Sequence, residues 1–257
     1  MSLVQFEVKN RVGYITLNRP EKRNALSFDF VTEIKKVFTG AENNADVKVI
    51  VLKANGDAFC AGADLAYIQG LQTNTFEENV ADSTHLMELF KQIYLSKKVV
   101  MSQVEGAALA GGCGLATVCD FCFSVPEASF GYTEVKIGFV PAIVKVFLVR
   151  KVGEGKAKEI LLTGGIFDGL KAREYGLVNY IIPPDLMEGS VTAFAEKLCA
   201  TTSANSLALV KEMLNEVQNL SLDEGLEYAA NMNAKARESE DCKKGIAAFL
   251  NKEKITW

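Results

Sequence analysis

Two turns of small residues and one isolated carboxylate are the parts of this 257-residue sequence whose types and spacing suit chemistry. The first turn is Cys60-Ala61-Gly62-Ala63-Asp64, and the second is Gly106-Ala107-Ala108-Leu109-Ala110-Gly111-Gly112. The second lacks the Lys-Ser/Thr ending of a phosphate loop, and its glycine spacing is not that of a dinucleotide fingerprint. Small side chains at the start of a helix leave the amides of Gly111 and Gly112 accessible, and the helix dipole adds positive potential there. One such amide, facing a second from the Cys60 turn, would stabilise negative charge developing on an oxygen. The alternative is a close-packed turn that simply needs small residues.

Glu134 lies between Ser129-Phe130-Gly131-Tyr132-Thr133 and Val135-Lys136-Ile137-Gly138-Phe139-Val140-Pro141, an apolar strand-and-turn context. Incomplete hydration raises a carboxylate's pKa toward neutrality, which suits a base removing a carbon-bound proton. A salt bridge to Lys136 or a helix cap accounts for the same residue equally well. Asp64 reads as the N-cap of the helix that follows it, and Asp120 as a buried carboxylate accepting backbone hydrogen bonds. His85, the single histidine, shares a predicted helix with Asp82 and Glu88. It reads as exposed and solvated, with the lining of a channel as the alternative. Tyr132 is either a proton donor near Glu134 or a packed aromatic with a satisfied hydroxyl.

The elements that must position these groups follow from periodicity. Strands are predicted at 3–8 and 12–17, then a helix from an N-cap at Ser27 that Gly40 stops, then a strand at 47–52 leading into the first turn. A helix over 76–95 and a strand at 99–104 lead into the second turn, which opens an apolar helix and a strand at 121–125. Strand, glycine-rich turn and helix thus occur twice, which predicts a layered α/β core with both turns along one edge. Beyond residue 141, helical faces run through 143–149 and 154–162, and a strand at 178–182 ends at Pro183-Pro184. Helical periodicity then fills 185–200, 203–218, 221–237 and 239–250. This divides the chain into a core over residues 1–200 and a helical region over 201–257.

Composition narrows the classes. Hydrophobic residues make up 49% of the chain, which is ample for one large core. Lys+Arg 28 against Asp+Glu 32 gives a net charge of -4, with no broad positive field for a nucleic-acid backbone. The six cysteines read as reduced, buried thiols. Cys119 and Cys122 have redox-motif spacing but fall on a strand, and one histidine supplies a zinc site poorly, so no metal is expected. The first residues lack a basic n-region and an apolar h-region, and no apolar run reaches 18 residues. The expectation is a cytoplasmic protein without a membrane partner.

Four motifs then match a known pattern in order: Leu17-Asn18-Arg19-Pro20-Glu21-Lys22-Arg23-Asn24-Ala25-Leu26; Ala58-Phe59-Cys60-Ala61-Gly62-Ala63-Asp64-Leu65; Gly106 to Gly112 with Cys119-Asp120; and Ser129 to Glu134 with Gly138 and Pro141. With them the chain resembles the crotonase, or enoyl-CoA hydratase/isomerase, superfamily over almost its full length. The stretch Gly131 to Ile143 also looks like bacterial enoyl-CoA or methylglutaconyl-CoA hydratases.

The resemblance implies a crotonase-like spiral of ββα units whose helical C-terminal region supports homotrimers, often paired into hexamers. It implies an acyl-CoA substrate, with coenzyme A part of that substrate and no separate cofactor. The thioester oxygen would be held by the amides of Ala63 and Gly111, with Glu134 as acid/base. Coenzyme A would lie along Lys22, Leu26, Ala61, Ala63, Asp64 and Leu65, with Lys252 reaching a neighbouring subunit's nucleotide phosphate.

One residue departs from the pattern. Typical hydratases of this kind carry a second glutamate at the position of Gly114. The expected reaction is hydration of a 2-enoyl-CoA. Single-glutamate isomerisation of a 3-enoyl-CoA, other acyl-CoA enolate chemistry and non-catalytic CoA binding are the alternatives. At Gly114 the expectation is vacated space beside the acyl group, open to water, a substrate carboxylate or a side chain of the 76–95 helix.

Overall fold

The computed structural model describes residues 2–257; Met1, the first residue of the expected core, lies outside them. The chain opens with a hairpin of β1 (Val4–Lys9) and β2 (Val12–Leu17), followed by α1 (Phe28–Asn43), β3 (Val49–Ala54), β4 (Ala58–Cys60), α2 (Leu65–Leu71) and α3 (Phe76–Tyr94). A second pass gives β5 (Val99–Val104), β6 (Ala107–Leu109), α4 (Gly111–Val118), β7 (Phe121–Ser124), β8 (Ser129–Gly131) and α5 (Ala142–Thr163). Next come β9 (Ile166–Asp168), α6 (Gly169–Tyr175) and β10 (Tyr180–Ile181), and then the helices α7 (Met187–Thr201), α8 (Ala204–Glu216), α9 (Leu222–Glu238) and α10 (Glu240–Leu250).

Among the described residues ten strands form two sheets. The larger has the order β1-β2-β3-β5-β7-β10, parallel except for the β1–β2 hairpin. Its interior strands β2 and β5 are buried at every position, which is why they read as near-continuous apolar runs instead of alternating. Phe30, Ile34 and Phe38 of α1, Leu89, Phe90 and Ile93 of α3, and Met187 and Val191 of α7 belong to the same apolar core. The smaller sheet has the order β4-β6-β8-β9 and is built from three-residue strands.

Most long elements stand where periodicity places them, and Ser27 caps α1 as expected, accepting from the Phe30 amide. Gly40 does not stop that helix. It continues to Asn43 because Ala41 is buried on the core side and Lys98 Nζ caps its end, donating to the Ala41 and Asn44 carbonyls at 2.8 and 2.6 Å. Gly153, at φ 77, interrupts α5 between the two predicted helical faces. β4, β6 and β9 are additions, since strands of three residues are too short to show a period, and so is the seven-residue helix α6. Among the described residues no helix is long and apolar enough to cross a membrane.

Candidate active site

β4, β6 and β8 run parallel and side by side, with Cys60 opposite Ala108 and Leu109 opposite Gly131. The chain therefore leaves all three at one edge, the end of a parallel sheet where ligands gather in α/β proteins. Ala63, Gly111 and Glu134 each follow within three residues of these exits. The three residues singled out for chemistry are thus delivered by three adjacent strands.

The two glycine turns meet backbone to backbone. A Cβ on Gly112 would lie 2.0 Å from Cys60 O, and one on Gly62, at φ +96, would lie 3.0 Å from both Ala110 Cβ and Leu109 O. Only glycine admits this approach. Leu26 bridges the first turn: its N–H donates to Gly62 O at 2.7 Å, and its carbonyl accepts from Asp64 N–H at 2.8 Å. In this pattern the Ala63 N–H faces away from Leu26. Gly111 opens α4, so its amide has no intrahelical acceptor. Neither amide donates to a backbone carbonyl among the described residues.

Asp64 caps α2 as expected, accepting from the Ala66 and Tyr67 amides at 3.0 and 3.4 Å. It also pairs with Arg19, 3.0 Å away. Burial pushes its carboxyl up, but the Tyr67 amide, Arg19 and the Ala66 amide outweigh that and hold it below the ordinary range. Sequence reasoning missed this Arg19 contact and the role of Asn24. Asn24 is buried at φ 52, and its side chain donates to Asn55 O and Ala58 O while accepting from the Arg19 amide. The one available signal was an asparagine, a residue that tolerates positive φ, beside an apolar run.

Ala61 is tied to this loop through its amide, 3.0 Å from Arg23 O, and Leu26 is buried beside it. Lys22, Ala63 and Leu65 are exposed around the same turn. Lys252 stands apart from that network; it follows α10 and donates its amide to Phe249 O at 3.2 Å.

Glu134 begins a 3-10 turn, Glu134–Ile137, after Thr133. Its carboxylate makes neither the Lys136 salt bridge nor a helix cap: Oε2 is buried without a hydrogen-bond partner. Burial raises its pKa above the ordinary glutamate value, opposed only by its own backbone amide. No other buried side-chain nitrogen or oxygen among the described residues lacks a partner.

At Gly114 the expectation of vacated space is corrected. A Cβ there would meet Val144 Cγ1 at 2.4 Å and Phe90 Cζ at 3.3 Å. The direction of a side chain is filled by α5 and α3, so no side chain fits at residue 114 unless Val144 moves. Phe90 does come from the predicted 76–95 helix, but it brings carbon and no proton-transfer group.

The remaining candidates take structural places. Tyr132 is fully buried with its hydroxyl 2.7 Å from Thr117 Oγ1. Asp120 accepts from Val100 N–H at 2.7 Å and pairs with Lys211 of α8. All six cysteines are free thiols, and burial pushes Cys119 up to about 12. His85 is half-buried, not solvated: it stacks on Phe28 with centroids 4.2 Å apart and contacts Thr32 Oγ1 at 2.9 Å. It lines a groove of about 670 Å³ with Phe28, Tyr67, Leu71 and Asp82. Tyr67 joins this groove to the Ala63 turn, since its amide donates to the capping Asp64 carboxylate while its hydroxyl donates to Asp82.

Known proteins resemble this chain in sequence and in fold. A family model described as enoyl-CoA hydratase/isomerase matches residues 7–257. A Thermus thermophilus protein named "Putative enoyl-CoA hydratase" is 43% identical over 97% of this chain and 98% of its own. The crotonyl-CoA hydratase of Syntrophomonas wolfei is 32% identical over 98% of this chain and 96% of its own. The crystal structure of an enoyl-CoA hydratase from Shewanella pealeana superposes with a TM-score of 0.94 at 29% identity, covering 100% of this chain and 96% of that one.

Proposed function

Because this chain belongs to the enoyl-CoA hydratase/isomerase family, we propose that it is an enoyl-CoA hydratase adding water to a 2-enoyl-CoA thioester. The observation that carries this reading is the buried, unpaired Oε2 of Glu134 at the edge where the Ala63 and Gly111 turns meet. A carboxylate oxygen left without a partner there is free to bind water.

In this reading the thioester oxygen lies between the Ala63 and Gly111 amides, which stabilise the charge that arrives when a nucleophile adds to the β-carbon. Glu134 takes a proton from water as the water oxygen bonds to that carbon. The same carboxylic acid then gives the proton to the α-carbon, the enolate collapses, and Glu134 is ionised again. One molecule of water is consumed, and one carboxylate suffices because the α- and β-carbons are adjacent. The backbone from Ala61 to Leu65, with Lys22 and Leu26, holds coenzyme A, and Lys252 of a neighbouring copy meets its phosphate. No separate cofactor takes part.

A second reading draws on Gly114. With Val144 and Phe90 closing that direction, no second carboxylate stands there, and a lone Glu134 is sufficient to shift the double bond of a 3-enoyl-CoA. Product mass separates the two: hydration adds one water, and isomerisation leaves the mass unchanged. Glu134→Gln keeps the volume and removes the base, so kcat/KM should fall by about a thousandfold. Undiminished turnover in that variant would remove Glu134 from the mechanism.

The helical region over 201–257 is proposed to assemble the subunits into a trimer or a pair of trimers. Leu222 and Leu226 on α9 and Phe249 and Leu250 on α10 are exposed on the single chain, as a face covered by a second copy would be. Light scattering gives the copy number. Six free thiols fit the cytoplasm, the compartment of this proposal, which cell fractionation tests.

A further inference from the structure

We propose that Ala110 is a positioning residue that sets the gap between the Ala63 and Gly111 amides; this rests on reading those amides as the thioester's oxyanion hole. Ala110 is the N-cap residue of α4, yet its side chain caps nothing, and its backbone lies at φ 48, ψ -121. Arg23, another non-glycine residue at positive φ, has ψ 36 and sits in the ordinary left-handed basin. The ψ of Ala110 takes it outside that basin into territory open to glycine. A strained alanine persists only where its surroundings over-determine it, and such residues cluster at functional sites.

The surroundings here do so from three sides. The Ala110 N–H donates to Gly131 O at 2.7 Å, and its carbonyl accepts the first bond of the helix from Gly114 N–H at 3.0 Å. Its methyl abuts the bare face of Gly62, where an added Cβ would come within 3.0 Å of it. Gly62 directly precedes Ala63, so the methyl buttresses the turn that carries one donor. The peptide plane carrying the other donor, Gly111 N–H, is oriented by the ψ rotation of Ala110 itself. A single residue therefore touches the turn of one amide and aims the other. A glycine could adopt the same angles but would hold neither the angle nor the spacing.

The test compares Ala110→Gly with Ala110→Ser, which keeps the Cβ, in the full chain. Turnover is read with crotonyl-CoA, and carbonyl polarisation with 13C-labelled butyryl-CoA by difference infrared spectroscopy. For A110G the expected result is an unchanged or higher Tm, kcat lower by about tenfold and KM within about twofold. The bound carbonyl stretch should move back toward its value in solution, while A110S stays near wild type in every readout. Wild-type kcat and carbonyl stretch in A110G would overturn the proposal, and a lower Tm with an unchanged carbonyl stretch would assign Ala110 to packing alone. If wild type leaves the bound carbonyl at its solution frequency, the oxyanion-hole reading itself fails, an outcome distinct from either of these.

Discussion

Ile15, Ile50 and Met101 occupy neighbouring strands of the six-stranded sheet with no exposed surface, and what holds that sheet to its helices is side-chain volume. In the four-stranded sheet the tight contacts are backbone to backbone. A Cβ on Gly106 would lie 2.2 Å from Asp57 O, one on Gly112 2.0 Å from Cys60 O, and one on Gly131 2.7 Å from Gly165 O. The larger sheet is stabilised by what its side chains fill; the smaller is shaped by side chains it lacks. That difference would suit the proposed oxyanion hole, because amides that are to meet a ligand oxygen need backbones brought close and left bare.

Gly112→Ala should have the largest effect. The new Cβ would press on a carbonyl oxygen and carbon that cannot rotate away, so the ends of β4 and β6 must separate. A loss of about 3 kcal/mol in urea unfolding is expected, with turnover lost even in the folded fraction. Ile50→Val tests the opposite side. One buried methylene is removed from β3, costing about 1 kcal/mol, while kcat/KM of the folded protein stays within about twofold. If I50V cost as much turnover per unit of stability as G112A, the division between a volume-packed sheet and a backbone-shaped one would collapse.

The same division explains what the sequence disclosed. Runs such as Val49 to Leu52 and the amphipathic face of α1 carry their period in side chains, so the larger sheet and its helices were legible. The two glycine turns were legible as turns, because glycine marks a demand on the backbone. Which atoms those glycines spare was not legible, since Gly112 meets Cys60 and Gly106 meets Asp57 only once the strands are paired. Ala110 gave no sign, because alanine is not a residue that positive φ selects. Gly114 misled for a related reason: an absent side chain reads as empty space in one dimension, whereas Val144, thirty positions on, already fills it. Glu134 was singled out from its apolar neighbours, and in the fold its buried Oε2 takes neither Lys136 nor a cap.

The smallest expected effect on stability is at Glu134, and its sign sharpens the contrast with Asp120 just before β7 in the larger sheet. Asp120 accepts from the Val100 amide and pairs with Lys211, so its charge is compensated. Glu134 has no such partner, and burial raises its folded pKa above the unfolded value of about 4.3. Between those two values the folded state binds more protons than the unfolded one. The stability this contributes is complete below the unfolded pKa and is lost as pH rises through the folded pKa. Glu134→Gln does not titrate, so its Tm relative to wild type should climb from pH 4 toward pH 8. Across the same window wild-type kcat/KM should rise as the carboxylate becomes available as a base. Activity and stability therefore move in opposite directions with pH at one residue. A Tm difference between E134Q and wild type that stays flat from pH 4 to pH 8 would mean that solvent reaches the Glu134 carboxylate, and that the small-sheet edge holds it no differently from an ordinary surface acid.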